Sequence, residues 1–120
     1  MILVDTNAWI RHLRVADARL STFLREQRVR TCDVVIGELL LGSGLPKTFA
    51  RDLSALPRLP SPTAAETRAY IERHGRSLSG SGVGWADAEI LLAAAKSGAR
   101  LHTADAAVRK LCRVLRLPLA

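Results

Sequence analysis

The chain has 120 residues, with Lys+Arg 18 against Asp+Glu 11, a formal net charge of +7 and 48% hydrophobic content. That length predicts a single domain over 1–120, and the apolar content excludes a disordered chain, since a chain of this size buries roughly two-thirds of its unfolded surface. The longest uncharged run, Ser77 to Ala86, is rich in Gly and Ser and far short of the ~20 apolar residues of a membrane span.

In chain order, Ile2-Leu3-Val4 is a short apolar run ending at an acid, the pattern of a buried parallel strand. Thr6 to Val15 reads as a helix, with Ile10 and Leu13 one turn apart. Asp17 then caps a second helix to about Arg28 that buries Leu20, Phe23 and Leu24. Val29 to Cys32 is a second strand. Asp33 caps a helix over Val34 to Leu41, which Gly42-Ser43-Gly44 ends. Leu45 to Leu56 is a helix with Pro46 in its first turn.

Pro57, Pro60 and Pro62 bracket an extended piece around Arg58-Leu59. Thr63 to Leu78 is helical, with Ala65, Ala69 and Ile71 inward, and Ser79 to Gly84 is a flexible loop. Trp85 to Ser97 is a helix with an uncharged middle, ended by Gly98. Arg100 to Thr103 is a strand, Asp105 to Cys112 a short helix and Arg113 to Leu117 a last strand. Strands alternating with helices predict an α/β fold, a short parallel sheet with helices on both faces.

Four acids occupy costly or specific positions. Asp5 and Asp105 follow predicted strands; in open α/β sheets ligands bind at that end, although both are also plausible helix caps. Glu38 lies within Val34-Val35-Ile36-Gly37-Glu38-Leu39-Leu40-Leu41, with apolar neighbours throughout. An unpaired buried carboxylate costs several kcal/mol or shifts its pKa, so an Arg or a metal should meet it. Asp87 shares a helix face with Leu91 and Ala94, which points it inward, while Glu89 belongs to another face and reads as surface.

Four converging carboxylates within about 5 Å would repel by about 3 kcal/mol per pair at an effective dielectric near 20. Such a cluster needs a cation, and hard oxygen ligands suit Mg2+, with Mn2+ as an alternative. An ion so held activates water and stabilises a phosphoryl-transfer transition state. Asp5 and Asp87 are the best candidates for direct ligands, with Glu38 and Asp105 completing the shell. Thr6, Asn7 and Thr103 supply neutral groups that orient carboxylates or water, or else serve as caps and turns.

Other chemistries find less support. His12, His74 and His102 make no HExxH pair, and no Ser stands in a nucleophile elbow. Gly80, Gly82 and Gly84 follow a helix rather than a strand, so they do not form a dinucleotide loop. Fifteen of the eighteen cations are Arg, which suits bidentate phosphate contacts and a nucleic-acid partner, or else simply a solvated surface. The opening residues have no basic n-region or cleavable apolar stretch, which predicts no secretory signal. Cys32 and Cys112 form neither a disulfide framework nor a zinc set and read as buried thiols of a cytoplasmic protein.

Met1-Ile2-Leu3-Val4-Asp5-Thr6-Asn7, the isolated Glu38, Gly84-Trp85-Ala86-Asp87-Ala88 and Leu101-His102-Thr103-Ala104-Asp105 together resemble the PIN domain, and more narrowly the VapC-type toxins of bacterial toxin–antitoxin modules. The resemblance covers nearly the whole chain. It implies a three-layer PIN-like sandwich and a Mg2+-dependent endoribonuclease with the quartet Asp5, Glu38, Asp87 and Asp105. It also implies a homodimer or toxin–antitoxin hetero-oligomer and a small antitoxin that occupies the active-site groove. The RNA target and the residues that grip it are not readable. The alternatives are a PIN-like nuclease of RNA processing outside any toxin pair, a receiver- or phosphatase-like phosphoryl enzyme, and a non-catalytic RNA-binding module. The last explains the Arg excess but not four poorly solvated acids.

Overall fold

A computed structural model describes residues 1–42 and 45–120. Its sheet has three parallel strands, β1 (Ile2–Val4), β2 (Val29–Arg30) and β3 (Arg100–His102), in the order β2-β1-β3. Ile2 pairs with Val29 on one side and Arg100 on the other, and Val4 with His102. The first strand is thus central, which explains why all three of its residues are apolar and fully buried. Burying side chains of this kind is worth about 1.5–3 kcal/mol each.

Helices α1 (Thr6–Arg14), α2 (Ala18–Arg25), α3 (Asp33–Leu41), α4 (Lys47–Leu53), α5 (Ala64–Arg73), α6 (Gly75–Leu78), α7 (Trp85–Ser97) and α8 (Ala106–Val114) connect and cover the strands. The expected α/β architecture is therefore present. Helix α7 runs over the residues expected and ends at Gly98, whose φ of 66° is the left-handed cap that glycine adopts freely. The bracketed piece near Arg58 is also extended and makes a parallel bridge from Arg58 to Thr31.

Several boundaries differ, each for a local reason. The second helix stops at Arg25, and Gln27 at φ 56° turns the chain into β2. Cys32, not Asp33, is the N-cap of α3; the Asp33 carboxylate is taken by Arg58 at 3.0 Å. Pro46 precedes α4 as its N-cap rather than lying within it. Ser43 and Gly44, expected with Gly42 to end α3, lie outside the described residues.

The single helix expected from Thr63 to Leu78 is two, broken between His74 and Gly75, where glycine is about 1 kcal/mol poorer than Ala as a helix former. Of the three residues expected inward, Ile71 packs on the core, but Ala65 and Ala69 are exposed; Thr67, fully buried, and Tyr70 take their place. The expected last strand over Arg113 to Leu117 is instead the end of α8 and a turn. The stripe Val108, Leu111, Cys112 carries helical spacing that outweighs the short alternation after it, and Arg116 at φ 57° reverses the chain. Only Leu119 then bridges to Leu101. No helix among the described residues is long and apolar enough to cross a membrane.

Candidate active site

The carboxyl ends of β1 and β3 are joined by the Asp5 amide, which donates to the His102 carbonyl at 3.1 Å. The next residues along each strand therefore stand side by side. Asp5 leaves β1 as the N-cap of α1 and accepts from the Ala8 amide at 2.9 Å through Oδ1. Its other oxygen, Oδ2, accepts from the hydroxyl of Thr103, the first residue after β3. Thr103 Oγ1 in turn accepts from the Asp105 amide at 3.1 Å. One hydroxyl thus ties two strand-end acids together. Asp105 caps α8, accepting from Ala107 at 2.8 Å and Val108 at 3.2 Å. Capping and proximity to the cluster coexist in both acids, so the two readings of the sequence do not exclude each other.

The helix acids arrive from other layers. Helix α3 packs on α1, and Glu38 Oε1 accepts from the Thr6 hydroxyl at 2.6 Å. This bond attaches Glu38 to the residue next to Asp5. Asp87 sits in the first turn of α7, where the Gly84 backbone amide favours its ionised form. Leu91 and Ala94 on its face are buried as expected. Asn7 is exposed and takes no side-chain hydrogen bond among the described residues, so of the three neutral groups only Thr6 and Thr103 hold carboxylates.

Electrostatics bind three of the acids into one unit. Burial raises the Asp5 pKa above the ordinary carboxylate value; hydrogen bonds from Thr103 and Ala8 oppose that, and the charges of Asp87 and Asp105 add to it. Burial likewise raises Asp87, with a further push from Asp105. The ion pairs of the described residues join Arg28 to Glu26, Arg58 to Asp33, Arg68 to Glu72, Lys96 to Glu66 and His102 to Asp17. None of them takes up Asp5, Glu38, Asp87 or Asp105. Among the described residues no ion pair offsets the mutual repulsion, and a divalent cation fits the donor set: hard, anionic oxygens and neutral hydroxyls. Among the described residues no three such side chains stand close enough together to hold a metal ion, so the expected convergence of four carboxylates is not met and an ion would have to draw them together.

Several features of this region escape sequence reading. Glu89 is half-buried rather than surface, and its charge helps raise the Cys32 thiol. Helix α7 packs on both α3 and α5. Arg109, one turn beyond Asp105, donates to the Thr103 carbonyl at 3.5 Å; its position four residues after an acid is the one available signal. Asp17 brings two histidines together, its amide donating to His12 Nδ1 at 2.9 Å and its Oδ2 lying 2.7 Å from His102 Nε2. Nothing in the sequence spacing reveals that pairing.

Comparison with known proteins follows the same outline. The family model described as PIN domain matches residues 2–114. Ribonuclease VapC32 of Mycobacterium tuberculosis, in strains CDC 1551 / Oshkosh and ATCC 25618 / H37Rv, is 42% identical over 114 residues, covering 93% of this chain and 90% of the relative. Among solved structures, FitAcB from Neisseria gonorrhoeae superposes with a TM-score of 0.61 at 21% identity, over 99% of this chain and 96% of that one. PAE2754 from Pyrobaculum aerophilum gives 0.61 at 20% identity, over 92% and 84%.

Proposed function

Because the chain belongs to the PIN domain family, we propose that it is a divalent-metal-dependent endoribonuclease, the toxin of a type II toxin–antitoxin pair, whose acids Asp5, Glu38, Asp87 and Asp105 form the catalytic centre. The observation that carries this reading is the uncompensated field shared by Asp5, Asp87 and Asp105 at the carboxyl end of the sheet. The similarity to a protein named Ribonuclease VapC32 supports RNA as the substrate class.

Mg2+, with Mn2+ as the alternative, supplies a Lewis acid that lowers the pKa of water and offsets phosphate charge. Asp5 and Asp87 would hold it, with Glu38 and Asp105 as the further carboxylates of the site. The chain's own work is positioning. Donors from Ala8 and Thr103 fix both oxygens of Asp5, so its carboxylate is pre-oriented and loses little freedom on binding. Thr6 holds one oxygen of Glu38, Oε1. The first turn of α7 places positive dipole under Asp87 and favours its ionised form against burial. An RNA phosphodiester set against these groups is cleaved by water, giving two shorter strands.

The same uncompensated acids suit a guanidinium. An Arg-bearing segment of the antitoxin neutralises the cluster bidentately and competes with Mg2+. The active unit is a homodimer or a toxin–antitoxin hetero-oligomer in the cytoplasm.

The test is direct. Asp5→Asn and Asp87→Asn each remove one charged ligand at nearly constant shape, and each should abolish Mg2+-dependent RNA cleavage with the fold retained by circular dichroism. Full activity in both variants would sink the quartet. RNA binding with no cleavage in the unmutated protein at any Mg2+ or Mn2+ concentration would favour a binding module instead.

A further inference from the structure

Beside the acid cluster lies a cavity of about 610 Å³ lined by Ala8, Arg11, Arg14, Asp17, His102 and Thr103 among others. It shares walls with the catalytic centre, because Ala8 and Thr103 are the two residues whose donors hold Asp5. Ala8, Arg11 and Arg14 recur every three residues along α1, so they form one row leading away from Asp5, with about 4.5 Å of rise between successive members. Both arginines are exposed, and neither enters an ion pair among the described residues. The one carboxylate in the wall, Asp17, is already committed. Its Oδ1 caps α2 through the Arg19 and Leu20 amides, and its Oδ2 is bonded to His102. Two free guanidinium groups thus face a cavity whose only acid is satisfied, one residue row from the cluster proposed to cut RNA.

Resting on the ribonuclease reading above, we infer that this cavity is a phosphate subsite: Arg11 and Arg14 grip the backbone of single-stranded RNA beside the bond to be cleaved. Arg matches phosphate geometry bidentately, and two such contacts fix the strand's register without reading its bases. The row along α1 sets the direction in which the strand leaves the acids. The His102–Asp17 pair holds the α1–α2 corner against β3 and so keeps the wall in place.

Binding of a fluorescent single-stranded RNA decides it, in the Asp87→Asn background so that no strand is cut. Arg11→Gln with Arg14→Gln should weaken binding at least tenfold at low salt. It should also flatten the slope of log K against log salt by about 1.4, at about 0.7 for each of two single-strand contacts. The control pair, Arg28→Gln with Arg100→Gln, removes equal charge near the amino ends of β2 and β3 and should change binding less than twofold. Equal melting temperatures show that both pairs fold. If the Arg11/Arg14 pair behaves like the control while the parent binds RNA, the cavity assignment falls and the ribonuclease reading stands. If the parent binds no RNA, both fall. If a polyglutamate peptide of equal charge displaces the RNA at equal concentration, the cavity belongs to an acidic protein segment and the RNA assignment is overturned.

Discussion

Replacing Asp87 by Asn separates a metal ligand from a helix cap without any substrate. In the ion-free protein, ionised Asp87 repels Asp5 and Asp105. Two unit charges roughly 8 Å apart at an effective dielectric near 20 repel by about 2 kcal/mol, and by less at a half-buried group open to solvent. Against that stands the attraction of the charge to the α7 N-terminus, about 0.3–1 kcal/mol. Asn keeps an oxygen near the Gly84 amide, so that polar contact is retained. The variant should therefore be about 1 kcal/mol more stable than wild type in chelator, a melting shift of about +4 °C for a domain of this size. With Mg2+ the order reverses. Wild type should gain about 2.7 kcal/mol at a hundred times its Kd, and the variant much less at the same concentration. The pH dependence carries the same sign. The pKa values of Asp5 and Asp87 are raised on folding from 3.8, so their ionisation costs stability above the folded value. That cost fades as pH falls toward 3.8, and Asp87→Asn should remove part of the gain. Thermal melts in chelator, in a Mg2+ series and across pH measure all three. A destabilised variant with an undiminished Mg2+ shift would take Asp87 out of the metal site.

Thr103→Val removes the hydroxyl shared by Asp5 and Asp105 and should cost about 1.5–3 kcal/mol, the loss of a charged hydrogen bond, with weaker Mg2+ binding by titration; Thr103→Ser should restore both. Asp17, although partly desolvated, is held below its ordinary pKa by hydrogen bonds from His102, Leu20 and Arg19. Its contribution is therefore full above 3.8 and is lost as pH falls through the lower folded value, so acid melts of Asp17→Asn should show a shallower loss than wild type. Burial pushes Cys32 and Cys112 up to about 11, so at pH 8 about one thiol in a thousand is ionised and a chromogenic disulfide reagent should label the folded protein far more slowly than the denatured one. A burst of labelling in the native state would contradict the burial of both thiols.

Much of the fold was legible because its rules are local. An apolar triplet before Asp5 announces a central strand, Gly98 ends a helix in a left-handed conformation that residues with a Cβ adopt only under strain, and Asp87 inherits its direction from Leu91 and Ala94. The candidate acids were legible for the same reason: a carboxylate after a strand, or inside an apolar helix, is costly in any fold. What joins them was not. Thr103 reaches Asp5 across 98 positions and Thr6 reaches Glu38 across 32, and no periodicity encodes a contact between segments that meet only once the sheet is assembled. Misreadings arose where two local signals competed. The alternation after Cys112 lost to the helical stripe before it, and Ala65 and Ala69 fit an inward face as easily as an exposed one because a methyl gains little by burial. Glu89 looked solvated because one helix shows one polar face; packing against both α3 and α5 covered it. The row of Arg11 and Arg14 became a cavity wall only when β3 and the α1–α2 corner closed beside it. The sequence alone determined which residues are costly to bury and which segments bend or extend; the tertiary structure decided which of them share a volume, because that depends on how the layers pack.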